Sequence, residues 1–376
     1  KTFSGTISIP SVTVSGTYTN NGTLTVAAAL SGAGTLNQGT NATLNIGGTS
    51  GITTLTATAS GNTVNWNGSG DQTIKPATYN NLVTGGSGTK TLGGTLTVNG
   101  NLTIGSGTIL VNGGAGTTLT VKGNWTNDGS FTAGTGTQTV ILGGTAAQTL
   151  AGTAATTFNN LTIDNAAGVT NNHAAATTVN GTLTLTAGAF TLTTALTMGN
   201  GSTISRANGS LSTAPTFGTT VNVNYTTSTA GVTTGPELPA SATVLNNLTI
   251  NNAAGVTLGN ARQVNGTLTL TAGTFTLTNA LTMASGATIS RANGSLSAAP
   301  TFAGTVNVTY TGATAGVTTG PELPTSTGNV LTNLTINDTG QTVTLGATAT
   351  VNGNFTITAG TFDVSASNYT LTVKGA

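Results

Sequence analysis

The sequence predicts an all-β protein, a right-handed parallel β-solenoid (β-helix) of about 18 coils of roughly 20 residues each. Three observations predict it. First, aliphatic residues alternate strictly with Thr or Asn, as in Thr95-Leu96-Thr97-Val98, Asn101-Leu102-Thr103-Ile104 and Thr182-Leu183-Thr184-Leu185. A period of two puts Leu, Val and Ile on one strand face and the polar residues on the other. Second, LTVNGNLTI from Leu96 returns as LTVKGNWTN from Leu119, and later strands follow at roughly 20 residues, as from Leu248 to Leu268. Third, the chain copies itself at longer range. VNGTLTLTAGAFTLTTALTM from Val179 returns as VNGTLTLTAGTFTLTNALTM from Val264, an offset of 85 residues. ISRANGSLS (Ile204, then Ile289) and GVTTGPELP (Gly231, then Gly316) keep that offset, and NLTI (Asn247, then Asn333) shifts it to 86. Such a chain is a stack of similar units rather than a globule around one pocket.

Taken in order, residues 1–11 match no other segment and read as an N-terminal arm or cap. Residues 12–157 hold the first, looser coils; 158–245 and 246–331 are the two close copies. Residues 332–376 form a partial repeat and a C-terminal coil, with VNGNFTITAGTF from Val351 and LTVKG from Leu371. Gly and Asn punctuate every few residues (Asn99-Gly100, Asn180-Gly181, Asn265-Gly266). They supply the positive φ of tight turns. Asn-Gly between short strands is also a hairpin signal, but the recurrence near 20 residues favours coils. No segment carries a helical period. Inward positions are expected at Leu96, Val98, Leu102, Ile104, Leu183, Leu185, Leu268 and Leu270.

Only 4% of residues are charged, where an ordinary soluble domain has roughly a quarter. With 36% apolar residues and a net charge of +1 the chain is not a disordered polar tract. The same balance gives no electrostatic footprint for nucleic acid or an anionic membrane. No apolar run approaches the ~18 residues of a membrane-spanning helix. The absence of cysteine excludes disulfides and thiolate metal sites and is compatible with secretion. The opening KTFSGTISIP lacks an initiator Met and reads as processed or trimmed.

The alternating LTV, LTI and LTL strings with Asn-Gly corners resemble the β-strand repeat regions of large secreted bacterial surface proteins, of the filamentous-haemagglutinin and autotransporter-passenger kind. The resemblance covers nearly the whole chain. It implies a parallel β-helix with a role in adhesion, matrix or surface fibres.

Parallel β-helices can also be polysaccharide lyases or hydrolases, which need acids and bases clustered in a groove. Here Asp71, Asp128, Asp164, Asp338 and Asp363 are scattered, mostly at turns, so no enzyme, catalytic residue or cofactor is expected. His173 is the only histidine, which excludes a His-based metal site and most triads. Within NNHAAA it reads as a solvated loop residue. GGSGTKT from Gly85 lacks the Gly before Lys90 that a phosphate loop requires. The repeated charges carry more weight. Each close copy holds one Arg in SRANGS (Arg206, Arg291) and one Glu in GPELP (Glu237, Glu322), 31 residues apart. In a chain almost stripped of charge, a matched pair in each copy suggests a salt bridge tying a protruding loop to the rod. As exposed pairs they would contribute only about 0–1 kcal/mol. Asn-X-Ser/Thr strings are common, but this composition produces most of them by chance. Thr-X-Thr pairs such as Thr267/Thr269 open a second class, a Thr-ladder ice-binding solenoid.

The expectation for function is a structural subunit of an extracellular or cell-surface homopolymeric fibre or layer, whose partners are copies of itself. The alternatives are an adhesin stalk belonging to a giant surface protein, and the ice binder. Head-to-tail joining is expected because the chain ends in the phase where it begins. LTVKG at Leu119 continues as NWTNDGSFTA from Asn124, LTVKG recurs at Leu371, and VSGTYTNNGTLTV from Val14 matches VKGNWTNDGSFTA from Val121. Joint candidates are Phe3, Ile7, Ile9, Val14 and Tyr18 at one end and Leu371 and Val373 at the other.

Overall fold

The computed structural model describes residues 1–133, 137–325 and 328–375. Among them every strand pairing is parallel and no helix is present. The chain packs as two compact units, Lys1–Thr197 and Met198–Ala376. Parallel strands stack as a β-solenoid, with about 18 turns over the chain.

In the first unit three ladders carry the coils. One runs through Thr43–Ile46, Thr63–Trp66, Asn81–Thr84, Leu102–Ile104, Trp125–Asn127, Gln148–Ala151 and Val169–Asn171. A second runs through Leu96–Val98, Thr118–Val121, Thr139–Leu142, Asn160–Asp164 and Thr182–Ala187. The third contains Gln72–Ile74, Gly88–Leu92, Thr108–Val111, Ser130–Thr132, Thr156–Phe158 and Thr177–Val179. Register follows from the alternation, because a slip of one residue would turn every aliphatic side chain outward. Leu96, Leu119, Val140, Leu161 and Leu183 therefore form one inward column, and Val98, Val121, Leu142, Ile163 and Leu185 the next. All ten are buried, each contributing roughly 1.5–3 kcal/mol relative to exposure.

The second unit repeats the device. Ile204, Val223, Leu248, Leu268, Ile289, Val308, Leu334 and Phe355 stack in one column. Shorter ladders complete the coils: Val232–Thr233, Val256–Thr257, Thr274–Thr276 and Ser295–Leu296 on one side, and Arg262–Val264, Leu281–Met283 and Thr301–Phe302 on another.

The Asn-Gly pairs turn corners rather than close hairpins. Leu96–Val98 pairs with Thr118–Val121, whereas Leu102–Ile104, just past Asn99-Gly100, pairs with other strands. These corners stack closely: a Cβ on Gly123 would lie 2.4 Å from the Gly100 carbonyl carbon. Asparagines rivet successive coils. Asn81 Oδ1 accepts from the Asn101 N–H at 2.9 Å, Asn101 Oδ1 from Asn124 N–H at 2.8 Å, and Asn124 Oδ1 from Thr149 N–H at 2.9 Å. In the second unit Asn247 and Asn333 do the same for Thr267 and Asn354.

The stretch 1–11 runs alongside these coils as strand. Thr2–Phe3 pairs with Thr17–Asn20, and Thr6–Thr13 pairs in parallel with residues 23–31, setting Ile7 against Leu24 and Ile9 against Val26.

Candidate functional site

The two GPELP corners, both in the second unit, hold its densest polar constellation. In the first, the Pro236 turn is closed by the Leu238 N–H donating to Gly235 O at 3.2 Å, and Glu237 points inward. Its Oε1 receives three donors: Arg206 Nη1 at 2.6 Å, Tyr225 Oη–H at 2.7 Å and the Gly235 N–H at 2.9 Å. Arg206 is fixed in turn, Nε donating to Gly209 O at 2.8 Å and Nη1 to Thr233 O at 3.1 Å.

The second corner reproduces this set. Glu322 Oε1 accepts from Arg291 Nη1 at 2.5 Å, Tyr310 Oη–H at 2.8 Å and the Gly320 N–H at 2.8 Å. Arg291 also donates to Gly294 O at 2.8 Å and Thr318 O at 3.0 Å. In both corners Glu Oε2 accepts no hydrogen bond among the described residues.

The structure thus brings Arg206 to Glu237 and Arg291 to Glu322, each within one copy. It corrects the expectation that these are exposed pairs on a protruding loop. Glu237 and Glu322 side chains are 0% exposed and their arginines 14% and 12%. A carboxylate so enclosed is held because charge-assisted donors converge on it. Sequence reasoning missed the tyrosines. Burial, then the neighbouring carboxylate, pushes both phenols well above their ordinary range, so each hydroxyl stays a donor.

The corners differ at several neighbouring positions, among them Ala240/Thr325, Asn260/Ala347 and Arg262/Ala349. Arg262, in the coil after the first corner, donates from Nε to Leu238 O at 3.2 Å and from Nη1 to Ala261 O at 2.7 Å. The run Val256 to Val264 aligns with Val343 to Val351 in the partial repeat that follows, and Ala349 stands where Arg262 would be. The alignment is structural as well: Gly259 N–H donates to Thr234 Oγ1, and Gly346 N–H to Thr319 Oγ1, each at 2.9 Å. Beside the second corner opens a cleft of about 490 Å³, walled by Pro300, Phe302, Pro321, Leu323 and Ala347.

In the first unit, His173 and Lys90 prove to be interior. His173 is fully buried, with Nε2 3.0 Å from Thr156 Oγ1, which corrects its reading as a solvated loop residue. Burial pushes its imidazole below the ordinary range, opposed by Asp128. Lys90 is buried too, its ammonium donating to Gly68 O, Gly70 O and Ser87 O at 2.8–2.9 Å. Burial pushes it down and Asp71 opposes. Among the described residues no group of three His, Cys, Asp or Glu side chains is placed to hold a metal ion.

The joint candidates divide between interior and edge. Val14 is buried, and Ile7 and Ile9 are half-buried on their strand. Phe3 stacks on Tyr18 at 5.7 Å between ring centroids, with the Lys1 ammonium 6.0 Å from the Tyr18 ring. Leu371 pairs with Ala349 and Val373 with Val351, and Val373 is exposed.

Comparison of the chain with family models, curated proteins and solved structures finds no match.

Proposed function

We propose that this chain is a structural building block, a stretch of β-solenoid that stacks on copies of itself in an extracellular or cell-surface fibre or layer. The carrying observation is an apolar strand edge. Phe355–Asp363 pairs in parallel with Leu331–Thr344 on one side, and nearby Ile357, Val364, Tyr369 and Val373 are 38–50% exposed. A parallel edge with exposed apolar side chains is a template for another coil. The low charge leaves little repulsion against it. The strand pattern shared with filamentous-haemagglutinin and autotransporter-passenger repeats supports the extracellular setting. The role is assembly rather than catalysis, and no helix among the described residues is long and apolar enough to cross a membrane.

The outward columns favour this reading over ice binding. Thr249 and Thr269 are followed by Ser290, and Thr267 and Thr288 by Asn307, so a Thr-only ladder is interrupted. Negative-stain imaging with sedimentation over a concentration series tests assembly. Filaments are expected, shortened by Ile357→Lys and by removing residues 1–11. Isolated particles at every concentration would overturn the proposal.

A further inference from the structure

We propose that Asp338 is the anionic ligand of a site for a hard metal cation of the calcium class, whose other ligands are main-chain oxygens. This goes beyond assembly and is independent of it. Of the chain's seven acidic residues, Glu237, Glu322 and Asp338 are buried. Each glutamate meets an arginine, and these are the two ion pairs found among the described residues. Asp338 is 1% exposed, and no cationic side chain among those residues pairs with it. Its Oδ1 accepts from the Ala313 N–H at 2.8 Å, and its Oδ2 accepts from no donor among the described residues. A buried carboxylate left in that state is costly, and such groups are paired or coordinate a metal.

The aligned repeats show what the carboxylate faces. LTIDN from Leu161, LTINN from Leu248 and LTIND from Leu334 place Asn165, Asn252 and Asp338 at one position. In all three, a Cβ on a glycine of the following coil (Gly188, Gly273, Gly360) would strike that residue's main-chain oxygen, so the match is structural. Both asparagines aim their NH2 at oxygen. Asn165 Nδ2 donates to Ala146 O at 2.7 Å and Gln148 Oε1 at 2.8 Å. Asn252 Nδ2 donates to Ser228 Oγ at 2.7 Å and Gly255 O at 3.2 Å. Asn252 Oδ1 takes the Ser228 N–H at 3.5 Å, just as Asp338 Oδ1 takes that of Ala313, which aligns with Ser228. Oδ2 therefore stands where the NH2 stands in Asn252, an acceptor set among acceptors, and Ala313 has no hydroxyl to turn towards it. The turn adds oxygen too. Beside the glycine Cβ position the first two repeats present the nitrogen of Gly168 or Gly255 at 3.2 Å, whereas the third presents Gln341 O at 2.9 Å. Calcium takes six to eight oxygens from carboxylates, carbonyls and water. A site built mostly of main chain needs no cluster of acidic or His side chains.

The test is titration calorimetry and amide hydrogen exchange on the full chain, stripped with a chelator and given calcium chloride, or sodium chloride at matched ionic strength. The variant is Asp338→Asn, which installs the residue that both aligned positions carry and so preserves the fold. With one carboxylate, one calcium per chain is expected at the weak end of the calcium range, with Kd about 10⁻⁴–10⁻³ M. At about ten times Kd, exchange in Leu331–Thr344 should slow about tenfold. Asp338→Asn should bind at least about tenfold more weakly and show no slowing. Equal calcium binding by Asp338→Asn would mark an adventitious ion only and overturn the proposal. So would sodium slowing exchange as much as calcium does. So would a parent that binds no calcium at about 10 mM, well above that range, the outcome if a proton rather than a metal neutralises the carboxylate. Filament formation is not the readout, so failure here is distinguishable from failure of the assembly reading.

Discussion

The two GPELP corners share one internal ion-pair design and differ in the side chains around it. Each buries a Glu under an Arg, a Tyr and a backbone N–H with closely similar distances. Arg262 donates to Leu238 O beside the first, Ala349 stands at the aligned position after the second, and the second borders a cleft. The difference teaches that the buried constellation is kept while the side chains outside it vary. Duplication kept the first and released the second.

The largest test of that separation lies between the corners. Leu268 stacks on Leu248 and Ile289, and Ile289 belongs to the strand that carries Arg291. Leu268→Asp should cost several kcal/mol by burying an unpaired charge. Hydrogen exchange should then accelerate in the strands of both corners. Protection unchanged on either side would show that this column does not couple them.

Next come Glu237→Ala and Glu322→Ala. Each strands a largely buried Arg and a buried Tyr hydroxyl, and breaking such a pair costs about 3–5 kcal/mol. Equal losses, read by exchange protection at Val221–Tyr225 and Val306–Thr311, are expected if the corners are equivalent inside. A gap of more than about 1 kcal/mol would show that Arg262 also supports the interior. Tyr225→Phe and Tyr310→Phe remove one hydrogen bond to a carboxylate and should each cost about 1.5–3 kcal/mol, checked by the same measurement.

The smallest effect lies in the first unit, where His173 is fully buried against Thr156. Burial disfavours the imidazolium, so below about pH 6.5 the unfolded chain takes up a proton before the folded one does. Stability should be full above that value and fall as pH drops towards the lowered native value. The slope is at most about 1.4 kcal/mol per pH unit, one proton's worth. Denaturation at a series of pH values should show this slope in the parent and not in His173→Asn.

Much of this architecture was legible because period-two alternation records burial directly. Leu183 and Leu185, or Leu268 and Leu270, announce the core by spacing alone, and all four are buried. The Arg and Glu partners stood out as charges repeated in a chain with few. Tyr225 and Tyr310 carried the same signal, recurring at the 85-residue offset, but as inward aromatics they looked like packing. Lys90 and His173 were opaque for a different reason. The Gly68 and Gly70 carbonyls that hold Lys90 come from the preceding coil, and Thr156, which meets His173, lies 17 residues upstream. Polar residues enter a solenoid interior through partners one coil away. A linear pattern does not display them. Arg262 escaped notice because its acceptors are backbone oxygens, identical in every sequence.

The asparagine rivets have one more consequence. They join coil to coil through neutral amide dipoles, and both ion pairs lie beneath the surface. Dissolved ions weaken interactions between exposed charges and hardly touch buried ones. Sodium chloride therefore has little to screen: from dilute buffer to brine, the melting behaviour of this protein should barely move.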